Sequence, residues 1–142
     1  MNAMQNTVIE RLLKRFDAYA DLAALIDADQ LKQRIDLPRH KSLTDHLWCV
    51  VGARESYTKA IDQGVWSGFA CSMQSFEVED FQAHLQNSAL AASDTINAIT
   101  DWTPERASLL ATFAEHEVMH EGQIIRHMYA LEQSLPESWV WA

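Results

Sequence analysis

TPERASLLATFAEHEVMHEGQIIRHMYALEQS, residues 103–134, is the stretch that decides the fold. Thr103 offers a capping hydroxyl, and Pro104 follows at the first helical position, where a missing N–H costs nothing. Leu109, Phe113, Ile124, Met128 and Leu131 then recur on one face at steps of three and four or their multiples. Pro136 lies just beyond. The spacing predicts one long amphipathic helix from Thr103-Pro104 to about Ser134. A helix with one apolar face must bury that face against other elements.

The rest of the chain supplies three such partners. Ile9, Leu13, Phe16, Ala20, Ala23 and Ala24 mark a first helix over about residues 4–28. Leu31 to Lys41 reads as a loop, with Pro38 barring a continued helix. Ser42-Leu43-Thr44-Asp45 is a helix start, Ser42 capping and Asp45 near the positive end. The second helix carries Leu43, Val50, Tyr57 and Ile61 and stops near Gly64; Val65 to Gln74 is a loop. Val78, Phe81, Leu85, Ala89, Ala92, Ile96 and Ile99 give a third helix. Four amphipathic helices in a short chain predict an all-α four-helix bundle. The 142 residues fit a single domain spanning 1–142. A domain of this size buries about 68–70% of its unfolded surface, enough for a core without staples.

Composition narrows the function classes. The net charge of −9 repels phosphate backbones and argues against a nucleic-acid partner. No apolar run reaches the length of a membrane span. Glu10, Arg11, Lys14 and Arg15 interrupt the N-terminal apolar pattern, which predicts no export signal. Cys49 and Cys71 form no CxxC pair, so free thiols in the cytoplasm are expected.

The histidines carry the chemistry. His116 and His120 lie four residues apart on the last helix, about 40° past a full turn and about 6 Å along the axis. Both imidazoles can reach one ion from one face, and that face is shared with Phe113, Leu109 and Leu131. Buried imidazoles need partners, which one metal supplies to both; hydrogen-bonded core histidines are the plainer alternative. His46 shares the inward face of the second helix with Val50, Ala53 and Tyr57, and so is the candidate third ligand, a satisfied core histidine being the alternative. Three histidines would leave a fourth position open, the catalytic arrangement of zinc and related ions. Neutral imidazoles suit zinc, nickel, copper or iron. His127 stands about 10 Å beyond His120 along the axis, too far to join the same mononuclear site. His84 points away from its helix's stripe, and His40 sits in the loop with no assigned role.

His116-Glu117-Val118-Met119-His120 also spells HExxH, the metalloprotease pattern in which Glu is the general base. Its extended form fails, because Gln123 and Arg126 stand where Gly and His belong. Glu117 through His120 is a Glu-x-x-His, but no second copy exists to build a di-iron site. Glu117 has two competing roles. It orients a ligand or accepts a proton beside the metal, or it ion-pairs at a helix seam with Arg54 or Arg126.

Ser42-Leu43-Thr44-Asp45-His46-Leu47-Trp48, followed some seventy residues on by His116-Glu117-Val118-Met119-His120-Glu121-Gly122-Gln123-Ile124, resembles the DinB-like (DinB/YfiT-like) superfamily of metalloenzymes. The resemblance covers nearly the whole chain. It implies a four-helix bundle with His46, His116 and His120 as metal ligands, one divalent ion per chain (nickel or zinc foremost) and a homodimer. Several branches ligate a small thiol and transfer its sulfur to an electrophile. A metal-dependent enzyme acting on or with a low-molecular-weight thiol is therefore the leading expectation. A non-catalytic metal-stabilised dimer or sensor, and a metal-dependent hydrolase with Glu117 as its catalytic base, are the alternatives. No basic pocket motif for a thiol's carboxylates stands out in the sequence. Trp48, Tyr57 and Trp66 are placed to wall a pocket. The apolar end Trp139-Val140-Trp141 is expected to pack back on the bundle or onto a second subunit.

Overall fold

The structure, a computed structural model, describes residues 2–140. Five helices and one 3-10 turn, with no strand among the described residues, make it all-α. The elements are α1 (Ala3–Leu25), α2 (Ala28–Lys32), α3 (Leu43–Gln63), α4 (Val78–Ala98) and α5 (Pro104–Ala130), then the turn Glu137–Trp139. No helix among the described residues is long and apolar enough to cross a membrane. Each long helix packs on two others: α1 and α3 each touch α4 and α5. The four thus close a ring around the core, with α3 and α5 sharing the seam that matters below.

Local chemistry sets the ends. The Ser42 side chain accepts from the Asp45 N–H at 3.3 Å, and the Asp45 carboxylate accepts from the Ser42 N–H at 3.1 Å. Gly64 closes α3 at φ 75°, where a side chain would be strained. The Thr103 hydroxyl accepts from the Arg106 N–H, with Pro104 next in line. The first helix stops at Leu25, three residues short of expectation. Asp27 explains it: its carboxylate accepts from the Gln30 N–H at 2.9 Å and starts α2 instead of prolonging α1. Leu31 and Lys32, expected in a loop, close that short helix. The last helix also ends early, at Ala130, with Glu132 at φ 55° turning the chain.

The core divides into two apolar clusters with charges between them. One gathers Tyr19, Leu22, Leu47, Val50, Phe81, Leu85, Ile124 and Met128; the other gathers Ile9, Leu12, Phe16, Ile61, Ala92, Ile96, Leu110 and Phe113. Along α3 and α5 the chain passes from one cluster to the other through Arg54 and the Glu117–Glu121 turn, and Arg15 of α1 reaches that turn at Glu121. Arg54 and Glu117 are both fully buried and paired at 2.6 Å. The Arg54 guanidinium also donates to the Leu85 carbonyl at 2.9 Å and lies 4.4 Å from the Phe16 ring centre. Arg15 donates to both oxygens of Glu121, at 3.0 and 3.1 Å.

The C-terminal expectation divides by residue. Trp139 is fully buried, donates from Nε1 to the Ala18 carbonyl and packs edge-on against Tyr19. Val140 is exposed. Trp141 lies outside the described residues.

Candidate metal centre

The site grows from the seam between α3 and α5. His46 and Cys49 are one helical turn apart on α3, as are His116 and His120 on α5, so each pair presents its side chains along one face. The two faces meet. The Nδ1 atoms of His46 and His120 are 2.9 Å apart, with the rings edge-on. The Cys49 sulfur stands 3.6 Å from His116 Nε2. The His116 and His120 ring centres are 4.6 Å apart. Ligand atoms of Cys49, His116 and His120 all lie within 4.8 Å of one another, a group that could hold a metal ion. His46 adjoins that group through His120.

Cysteine 49 is the residue that sequence reasoning missed. Both cysteines are free thiols, as expected, but only Cys49 is drawn to the histidines. The signal was present: three residues after His46 is one turn of the same helix.

Hydrogen bonds among the side chains do not satisfy the set. His116 Nδ1 and His120 Nε2 are buried without a hydrogen-bond partner among the described residues, as is His127 Nε2. An unpartnered buried polar atom costs roughly 1–3 kcal/mol, which a metal bond or a bound ligand would relieve. The protonation state also fits a ligand. Burial pushes the His46 imidazole down to about 4 and that of His120 to about 3, so both are neutral at pH 7. Burial lowers His116 in the same sense. Burial pushes the Cys49 thiol up, against the opposing charge of Lys41. A metal would have to displace its proton, so binding would strengthen as pH rises. One sulfur and imidazole nitrogens are the donors that suit zinc and its neighbours rather than calcium or magnesium.

Glu117 takes the second of its two expected roles. Its oxygens accept from Arg54 Nε at 2.6 Å and Nη2 at 3.2 Å. Burial pushes its carboxyl upward while the guanidinium opposes that. A general base needs a carboxylate free to take a proton from a reacting water. This one is sequestered between α3 and α5 with both oxygens engaged, and the hydrolase reading loses its base.

No family model matches this chain, and no curated protein matches it.

The other histidines separate clearly. His40 and His127 form a pair of their own, Nε2 to Nδ1 at 2.7 Å with the rings stacked 5.0 Å apart. His40 therefore has a partner that its place in the loop did not suggest. His84 is half-buried on α4, beside Glu55 and Ser72 rather than at the seam. The aromatic wall is also divided. Trp48 and Phe76 line a cleft of about 590 Å³ that reaches Cys49. Tyr57 stacks on Phe113, leans on Trp66 and lies 6.3 Å from the His116 ring centre. The floor under Cys71 is tight: a Cβ at Gly52 would overlap the Phe69 ring and the Cys71 side chain. Glycine at 52 lets residues 69–71 lie directly on α3.

Proposed function

We propose that this chain is a divalent-metal-binding protein of the DinB-like four-helix type, and a metal-dependent enzyme acting with a low-molecular-weight thiol in the cytoplasm. One observation carries the reading: Cys49, His116 and His120 bring ligand atoms within 4.8 Å of one another, with His46 meeting His120 at 2.9 Å. When bound, the metal supplies a Lewis acid that lowers the pKa of a thiol at an open position.

The chain's own residues contribute the rest. His46, His116 and His120 are held neutral, the first and last buried and His116 half-buried, ready to donate lone pairs without first losing protons. Trp48 and Phe76 give the cleft beside Cys49 an apolar wall. Arg54 locks Glu117, which fixes the turn of α5 between the two histidines. In the transfer, the thiol proton leaves through the open cleft to solvent. The sulfur forms a bond to the electrophilic carbon, and the leaving group departs with the bonding pair. The dimer belongs to the same reading, with exposed Val65, Trp66, Phe69 and Phe76 offering apolar surface to a second copy.

Cys49 favours a second reading. Three histidines and one thiolate would close a four-coordinate site, the structural rather than the catalytic pattern. The experiment compares metal-loaded and metal-free protein in coupling a panel of small thiols to an epoxide and to an activated aryl chloride. Metal-dependent acceleration supports the enzyme. A metal-loaded protein that accelerates no coupling supports the closed, non-catalytic site.

A further inference from the structure

The segment between α2 and α3 crosses the mouth of the site as a strap. Arg39 sits at φ 61°, a left-handed conformation that non-glycine residues rarely adopt, directly after Pro38. Four contacts hold the strap down. The His40 N–H donates to the Leu37 carbonyl at 3.2 Å, and Arg34 donates to the His40 carbonyl at 3.3 Å. Arg34 also pairs with Asp45 at 2.8 Å, and the His40 ring is joined to His127 of α5. His40 is thereby pinned, and Arg39 and Lys41 are carried on either side of it.

Two clefts share Arg39, His40 and Lys41. The first is the apolar one at Cys49, where Arg34 is already matched by Asp45. The second, of about 710 Å³, takes in Arg39, Lys41, His46, Gly122, Gln123 and Arg126, and no acidic residue lines it. Arg39, Lys41 and Arg126 make no ion pair or hydrogen bond among the described residues. On a chain with 20 acidic and 11 basic residues, three unpaired cations around one acid-free concavity are a strong local reversal of sign. All three are themselves exposed to solvent, and what sets them apart is that they line one cleft whose wall includes His46. The positive charge of Lys41 also bears on His46, Cys49, His116 and His120 alike, so cleft and site share one field.

We propose that this second cleft is an oxyanion subsite in which Arg39, Lys41 and Arg126, with the Gln123 amide, seat the carboxylates or phosphate of a small substrate. Arginine's planar fork matches either group in bidentate fashion. The substrate's other end would then lie at His46, on the path to the metal ligands. Its use in catalysis rests on the metal-enzyme reading above; anion binding itself does not.

The test is calorimetric titration of the metal-loaded protein with inorganic phosphate and, separately, with succinate. Wild type is compared with Arg39→Gln/Arg126→Gln and with Lys59→Gln, a charge control on the exposed side of α3. The expected result is saturable one-site binding that weakens at least tenfold in the double variant and is unchanged in the control. Preference for phosphate assigns a phosphorylated substrate, and preference for succinate assigns a polycarboxylate. Absence of binding by either probe, or equal weakening in the double variant and the control, overturns the proposal. Elemental analysis of the same samples separates the two claims. A double variant that keeps its metal but loses the anion supports the subsite. A wild type that takes up no metal yet binds phosphate through Arg39 and Arg126 keeps the subsite and refutes the metal-enzyme reading alone.

Discussion

Replacing Glu117 by Gln tests whether this glutamate is catalytic or structural. The carboxylate and the Arg54 guanidinium are both fully buried, joined by contacts of 2.6 and 3.2 Å. The substitution keeps the shape and removes the charge. Arg54 would then sit buried without a counter-charge, a state that costs about 3–5 kcal/mol when one partner of a buried pair is removed. The Gln carbonyl oxygen can still accept one bond, and the Phe16 and Tyr19 rings lie 4.4 and 5.3 Å from the guanidinium carbon. These place the loss nearer the lower bound, about 3 kcal/mol. For a domain of this size that is a drop in Tm of about 6–12 °C. The double variant Arg54→Met/Glu117→Leu replaces the pair with apolar volume and should recover most of the loss. Urea unfolding of the three proteins, with metal content measured alongside, reads both effects. If Glu117→Gln loses less than about 1 kcal/mol, the argument from a buried, obligatory pair is refuted.

Three further outcomes are expected. Cobalt(II)-loaded protein should show a sulfur-to-cobalt charge-transfer band in the near ultraviolet that Cys49→Ser abolishes, with Cys49 joining His116 and His120; the absence of such a band removes Cys49 from the ligand set and leaves its position open to a thiol. Burial pushes the Glu121 carboxyl up to about 7 despite Arg15, so its proton is bound more tightly in the folded chain. Its stabilising contribution is complete below the unfolded carboxyl value and is lost as pH rises through about 7. Wild type should accordingly lose stability relative to Glu121→Gln between pH 5 and pH 8, and parallel stability curves would contradict this. Trp139→Ala removes a fully buried ring and its hydrogen bond to Ala18, and should cost about 3–5 kcal/mol by denaturant titration.

The helices were legible because their signals are local. Ser42 with Asp45, Thr103 with Pro104, and the apolar stripe from Val78 to Ile96 each specify an element within a few residues. The inward face of α1 was legible in part, since Ile9, Phe16 and Ala23 of the expected stripe are buried. Ala20 and Ala24 are exposed while Leu12, Tyr19 and Leu22 are buried, because a small residue in a stripe says little about direction. The spacing of His116 and His120 pointed to one face, and the fold places them beside His46. What stayed hidden depends on contacts between distant segments. Arg54 was one of two partners the sequence offered for Glu117, and only the fold chooses it over Arg126; His40 and His127 are 87 positions apart, and their pairing follows from no local pattern. The basic cleft escaped for the same reason, since Arg39, Lys41 and Arg126 form no motif until the strap is laid across α5.

The central claim is that His116 and His120 hold a metal at the α3–α5 seam. Elemental analysis of purified, untagged protein beside a His116→Ala/His120→Ala variant, both checked for helicity by circular dichroism, tests it most directly. About one equivalent of zinc, nickel or a similar ion per chain in the wild type, and none in a still-helical variant, is the predicted result. A wild type that takes up no metal even after reconstitution would contradict the account and leave these residues as a buried histidine cluster.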